Sequence, residues 1–121
     1  MFYAVLLHDV MIGYICFHED NGKYDLGYCF HSDYQGKGYA FEAAQAFFDY
    51  LFSQKGARRI YAYTEDYNLS SQHLCEKLGM RREGLFLEFI SFVNNPDGTP
   101  RYENTVQYAI LKKEWDRQQS Q

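Results

Sequence analysis

Proline is scarce in this chain, at two residues in 121, and tryptophan occurs once. No repeat, linker or low-complexity segment interrupts it. The three cysteines, Cys16, Cys29 and Cys75, are odd in number and lack metal-ligand spacing. They exclude a disulfide framework and read as reduced thiols of a cytoplasmic protein. The four histidines form no HxH or HExxH pattern. His8, His18 and His31 could approach one another across neighbouring strands, but the ligand spacing is missing and no metal is expected. No basic run is present: Arg58-Arg59, Arg81-Arg82 and Lys112-Lys113 are scattered, and the formal net charge is -4. A nucleic-acid footprint is therefore not visible. No apolar run is long enough to span a membrane, and Met1 is not followed by a charged segment and an apolar core of signal-peptide type. The expectation is a soluble, cytoplasmic protein.

What the chain does have is aromatic residues: twelve Tyr and ten Phe within a 46% hydrophobic composition. Bulky rings fill a core with few side chains, and the length suits one domain. Phe2 to Leu7 is apolar and β-rich, and a His-Asp-Val turn follows. Met11 to Phe17 and Tyr24 to Phe30 are further strands, joined through Asn21-Gly22, a strong hairpin signal. From Asp33 the pattern changes. Ala40, Ala43, Ala44, Phe47, Phe48 and Leu51 share one helical face, and Gly56 offers a stop. Arg59 to Thr64 is then a strand reached by a βαβ-type crossover, so it should lie parallel to the third strand. Asn68 or Ser70 can cap a second helix ending at Gly79. Leu85 to Val93 and Thr105 to Leu111 form a last hairpin around the turn-rich stretch 94–101. The charged, Gln-rich stretch from Lys112 reads as a frayed tail. The expected fold is α+β: one domain over residues 1–115 and a polar tail over 116–121.

Gln35-Gly36-Lys37-Gly38-Tyr39-Ala40 stands between a strand and a helix. Glycines there let the backbone turn with its N–H groups exposed, and the helix start adds partial positive charge, which together suit a pyrophosphate. A lone Gly-x-Gly also fits a plain glycine turn. A Walker A loop would need Ser or Thr after Gly-Lys, where this chain has Gly38. A dinucleotide fingerprint would need a third glycine where Glu42 stands. Both fail.

The same segment resembles motif A of the GNAT N-acetyltransferases, with Gln35, Gly38 and Ala40 matching. In detail the chain is similar to the RimJ/RimL branch, whose members modify protein amino termini. The stretches that carry the likeness are Tyr28 to Glu42, Asn68-Leu-Ser-Ser71, Glu76-Lys-Leu-Gly79-Met80, and Tyr108-Ala-Ile-Leu followed by Glu114-Trp115. They occur in the family's order from about Phe2 to Trp115. The resemblance implies a mixed, mostly antiparallel sheet whose central parallel pair splays around the cosubstrate, acetyl-CoA. Backbone groups of Cys29, Phe30 and His31 would bind pantetheine, and one N–H there would polarise the thioester carbonyl. Amides of Gln35, Gly36, Lys37, Gly38, Tyr39 and Ala40 would hold the pyrophosphate, and Asn68 would bond the pantetheine or its sulfur region.

Direct attack on a thioester needs a neutral amine and a proton for the leaving thiolate. Asp25 matches a position where many relatives carry Glu, although a solvated edge carboxylate fits it equally well. Glu88 is a rival base, on a strand that relatives use near the acceptor. Many family members place a tyrosine acid where this chain has Cys75, which reads as a buried, inert thiol. Ser71 is the better acid candidate. Asn104 falls where relatives often carry Asp. The family also normally begins with a strand and two helices over the acceptor site, which this sequence lacks. Phe2 to Leu7 is then expected as an exposed apolar edge, and a homodimer or larger assembly is expected to cover this edge or the open acceptor side. The implied activity is transfer of acetyl to a primary amine, on a peptide terminus or a small molecule. A non-catalytic acyl-CoA-binding module of the same fold is the alternative.

Overall fold

In the computed structural model, which describes residues 2–35 and 38–119, the chain opens as an antiparallel meander. Its strands are β1 (Phe2–Leu7), β2 (Val10–Asp20) and β3 (Lys23–Phe30). Each turn holds two consecutive residues at positive φ: His8 (51°) and Asp9 (67°), then Asn21 (52°) and Gly22 (81°). Two such residues make the tight hairpin turn whose twist matches its flanking strands. Asn21-Gly22 turns as expected, and His8-Asp9 makes the same turn without a glycine.

A 3-10 turn (Ser32–Tyr34) leads to α1 (Tyr39–Gln54), β4 (Arg59–Glu65) and α2 (Leu69–Lys77). A long hairpin, β5 (Arg81–Asn94) and β6 (Pro100–Leu111), follows and passes into α3 (Lys112–Gln119). The six strands form one sheet in the order β1-β2-β3-β4-β6-β5. β3 and β4 pair in parallel, as the crossover predicts, and the other neighbours are antiparallel.

Strand alternation sorts the sheet into two faces. Tyr24 and Leu26 of β3, Ile60 and Ala62 of β4, and Val106, Tyr108 and Ile110 of β6 are buried in one core with Ala44, Phe48, Leu51 and Phe52 of α1. The opposite face carries His18, Asp25 and Tyr61, which stand side by side in the β2–β3–β4 register. β1 lies at the sheet edge and pairs with β2 alone among the described residues. Its Tyr3, Val5 and Leu7 pack against the core, with the Tyr3 ring 4.7 Å from that of Phe47, so only part of its apolar surface is open. Leu6 is 59% exposed.

The stretch from Lys112 is not a frayed tail. It is helical to Gln119, and Trp115 is buried with its ring centroid 5.7 Å from those of both Phe48 and Phe52. Charge composition concealed this, because one aromatic anchor outweighs several solvated charges. Polar contacts hold the helix in place as well. Glu114 accepts from the Leu111 N–H at 3.0 Å and from Arg81 Nε at 3.1 Å, while Glu83 pairs with both Arg81 and Arg59. These two guanidinium groups hold the Glu83 carboxyl down at about 2.

Trp115→Ala should cost about 3–5 kcal/mol, the usual range for a buried large aromatic. Thermal unfolding should then fall by roughly 10 °C or more. An unchanged melting temperature would return α3 to the status of a tail.

Candidate functional site

The β3–β4 pairing sets the site. It consists of Lys23↔Arg59, Tyr24↔Ile60 and Asp25↔Tyr61, and no further pair follows among the described residues. Beyond it β3 stays with β2 as far as Phe30, while β4 stays with β6 as far as Glu65. The two strands therefore part, and a wedge opens between them. The His31 N–H donates to Ile12 O at 2.8 Å. Since peptide groups alternate in direction along a strand, the Tyr28 and Phe30 amides point away from β2, into the wedge. Of the three backbone positions expected to bind pantetheine, Phe30 thus presents its amide to the gap, and His31 has committed its own to β2. Cys29, two residues before His31, likewise turns its amide to β2, and lines the cleft described next.

On the helix side the wedge widens into a cleft of about 760 Å³ lined by β3, the loop before α1, and α2. This volume lies in the upper part of the range for small-molecule sites. Gln35, Gly38 and Ala40 line it, and Tyr39 opens α1. Gly36 and Lys37 lie outside the described residues. Gly38 precedes the helix at φ 85°, and an added Cβ there would meet nothing within 4 Å, so its backbone conformation, not crowding, is what favours glycine.

Asn68 and Ser71 line the same cleft. Asn68 is the N-cap of α2: its Oδ1 accepts from the Ser71 N–H and from Ser70 Oγ, both at 3.2 Å. That leaves its Nδ2 as the group able to donate to a ligand. The Ser71 hydroxyl lies 2.8 Å from the Tyr28 hydroxyl. Burial raises the Tyr28 phenol above its ordinary range, with the Ser71 contact opposing, so it stays protonated at neutral pH. Sequence reasoning missed Tyr28 as a functional residue. Its position in an apolar strand reads as core, and only the long-range contact to Ser71 reveals otherwise. Cys75 is buried, and burial pushes its thiol up to about 12, which makes it inert.

The opposite face carries a second, smaller cleft of about 280 Å³ at the same wedge. Asp25 and Leu26 border it from β3, Tyr63, Thr64 and Glu65 from β4, and Phe89, Ile90 and Phe92 from β5. Burial raises the Asp25 carboxyl, and His18 across the strand pair lowers it by less. Thr64 is 5% exposed, and its Oγ1 has no hydrogen-bond partner among the described residues. An unmet buried hydroxyl costs about 1–3 kcal/mol. Glu88 is placed differently from Asp25. It sits at φ 48° where the β5–β6 register breaks between Phe86 and Ile90, is exposed, and is not among the residues bordering either cleft. Asn104 holds that bulge: its Oδ1 accepts the Glu88 N–H at 2.9 Å and its Nδ2 donates to Asp66 at 3.2 Å. Among the described residues no group of three or more His, Cys, Asp and Glu side chains gathers to hold a metal ion, and no helix is long and apolar enough to cross a membrane.

A mixed sheet that opens between two parallel strands, with a cleft on each side of the opening, is the architecture of an acyltransferase fold. The chain belongs to the GNAT acetyltransferase family: the model of the acetyltransferase (GNAT) domain matches residues 1–81. It is 40% identical over 110 residues to the uncharacterized N-acetyltransferase YnaD of Bacillus subtilis (strain 168), covering 89% of this chain and 61% of that protein. The crystal structure of a GNAT-family acetyltransferase from Bacillus anthracis superposes with a TM-score of 0.81 at 37% identity, over 93% of this chain and 66% of that one. Mutant forms of the spermidine/spermine N-acetyltransferase SpeG from Vibrio cholerae share the fold at a TM-score of 0.85 and 24% identity, over 97% of this chain and 69% of that one. The chain thus spans about three fifths of the length of YnaD.

Proposed function

We propose that the chain transfers an acetyl group from acetyl-CoA to a primary amine, by direct attack while both substrates are bound. The observation that carries this reading is the interrupted β3–β4 pairing with a cleft on either side, which lets two substrates meet through the sheet. The residues present fit acetyl-CoA. The peptide groups of β3 that face the wedge need partners, and the amides of pantetheine supply them as a missing strand would. The Gln35 to Ala40 loop, with the start of α1 behind it, suits the pyrophosphate. The thioester supplies an electrophilic carbonyl and a thiolate leaving group.

The residues of the chain then have these roles. Asp25 takes the proton that the amine must lose, directly or through one water. The amide of Phe30 polarises the thioester carbonyl, where negative charge develops as the C–N bond forms. As the C–S bond breaks, Ser71, backed by Tyr28, protonates the departing sulfur. This pair supplies the acid that Cys75 cannot. The likeness of Tyr28 to Glu42 and of Asn68 to Ser71 to the RimJ/RimL pattern favours the amino terminus of a protein or peptide as acceptor, with a small amine as the other form of the same chemistry.

Alanine at the left-handed φ of Gly38 costs roughly 1–2 kcal/mol, which the empty loop of Gly38→Ala escapes by relaxing and must incur on binding, so acetyl-CoA affinity should fall by about tenfold in calorimetry. Unchanged affinity in a folded variant would detach the loop from the cosubstrate.

For the base, the sign follows from burial. A carboxyl raised by desolvation stays protonated, and so inactive as a base, until pH passes its raised value. The acidic arm of kcat/KM against pH should therefore lie above the ordinary aspartate range. Asp25→Asn should remove that arm and lower kcat by about 10²–10⁴-fold. Loss of the arm in Glu88→Gln, with Asp25→Asn retaining it, would transfer the role to Glu88.

We also propose self-association. β1 and β5 close the two ends of the sheet, and Leu6 on the first and Leu87 on the second are 59% and 71% exposed. Apolar edges of this kind pair with another chain. Light scattering at micromolar concentration should give a dimer or larger. Leu6→Lys or Leu87→Lys should dissociate it, whichever edge is used. A monomer at all concentrations would exclude the assembly.

A further inference from the structure

The smaller cleft has a lining with a particular chemistry. Its polar side is acidic, from Asp25 and Glu65, and its other side is aromatic, from Tyr63, Phe89 and Phe92. The aromatic residues belong to an exposed cluster. Tyr63 lies 5.6 Å from Phe89 and 6.5 Å from Phe86, and Phe86 lies 5.1 Å from Phe89, between ring centroids. Tyr61 joins at 5.7 Å from Tyr63. Tyr63, Phe89 and Phe92 are 44%, 48% and 66% exposed, so these rings lie open at the cleft. A contiguous exposed apolar patch beside half-buried charge marks a binding surface.

Among the described residues neither carboxylate has an ion-pair partner: Lys23, on the same face of β3 as Asp25, pairs with Asp20, and Arg101 of β6 pairs with Glu103. Among the described residues, His18, opposite Asp25, is the basic side chain whose charge acts on it, and it lowers the carboxyl by less than burial raises it. Arg59, on the same face further along β4, is engaged by Glu83. The cleft is therefore complementary to an ammonium group, and ring faces attract a cation as well. Its volume sits at the bottom of the range for small-molecule sites. That is room for one amine-bearing unit and one bulky substituent.

We infer that this cleft is the acceptor subsite and that it selects a primary ammonium carried next to a large apolar group. Asp25 and Glu65 hold the ammonium, and Phe89 and Phe92, with Tyr63, hold the apolar substituent. The inference rests on the acetyl-transfer reading above for its meaning, but the binding itself can be measured without turnover. An arylalkylamine and a peptide whose first residue is Phe or Leu carry the same chemistry. A polyamine and a peptide beginning with Gly do not.

The test uses the whole chain saturated with coenzyme A. Binding of phenethylamine, of a tetrapeptide beginning with Phe, of one beginning with Gly, and of spermidine is followed by calorimetry. Turnover of the same four with acetyl-CoA is measured alongside. One or both of the first two should bind at least tenfold more tightly than the last two, and Phe89→Ala should remove that advantage while leaving coenzyme A affinity unchanged. Glu65→Gln should weaken the amines that bind and spare 2-phenylethanol, which lacks the charge. Preference for phenethylamine alone identifies a small amine, and preference for the Phe peptide alone identifies a chain terminus. Tighter binding of spermidine or the Gly peptide, or a preference unmoved by Phe89→Ala, overturns the inference even where acetyl transfer proceeds. Selective binding without turnover upholds the subsite and refutes the transfer reading instead.

Discussion

The structure depends on where two parallel strands stop pairing. Three residue pairs join β3 to β4, and after Asp25↔Tyr61 each strand follows its other neighbour. Both choices are antiparallel and long: β2 holds β3 through eight pairs and β6 holds β4 through seven. Antiparallel pairing is slightly the more stable per residue, so it sets the directions of the two half-sheets. The short parallel contact acts as a hinge-pin between them. Peptide groups that a continuous sheet would have satisfied are left facing a wedge, and buried peptide groups require partners. The fold thus leaves one edge of each strand open, where a strand-like ligand can pair in place of water.

The same break explains why chemistry gathers on both faces. Asp25 is the last β3 residue paired to β4, so it sits at the apex of the wedge on the open face. Three residues further along, and so on the other face, Tyr28 leans toward α2 and meets Ser71, with Asn68 capping that helix one turn earlier. These residues are brought together by the splay and not by any one element. Asn104 contributes from a distance by fixing the bulge in β5, which places Phe89 and Ile90 over the smaller cleft.

Most elements were legible because each has a local cause. Asn21-Gly22 dictates a turn, the spacing of Ala44, Phe48 and Leu51 dictates one helical face, and Gly56 and Gly79 take the positive φ that ends their helices. The loop before α1 was legible too, from its glycines and its place between strand and helix. Three features were not. Trp115 stands among charges, so its burial depends on a pocket built by Phe48 and Phe52 some sixty residues earlier. Tyr28 gains its role from Ser71, 43 residues away. The bulge at Glu88 leaves that residue outside the lining of both clefts, and nothing in Leu85 to Val93 announces a break in alternation.

The aromatic composition closes the argument. A chain this short could fill its core with fewer rings, and it does bury Phe17, Tyr24, Phe48, Phe52, Tyr108 and Trp115. Yet Tyr63, Phe86, Phe89 and Phe92 remain exposed together among the described residues. Core packing among the described residues gives no reason for them, and exposed apolar surface carries a cost in association and aggregation. The acidic groups beside them add a second cost, since Asp25 is held half-buried with its charge disfavoured. A surface that is unfavourable in two independent ways is retained where binding offsets both. An ammonium relieves the carboxylates and an apolar substituent covers the rings, so a single ligand of that kind accounts for the pair.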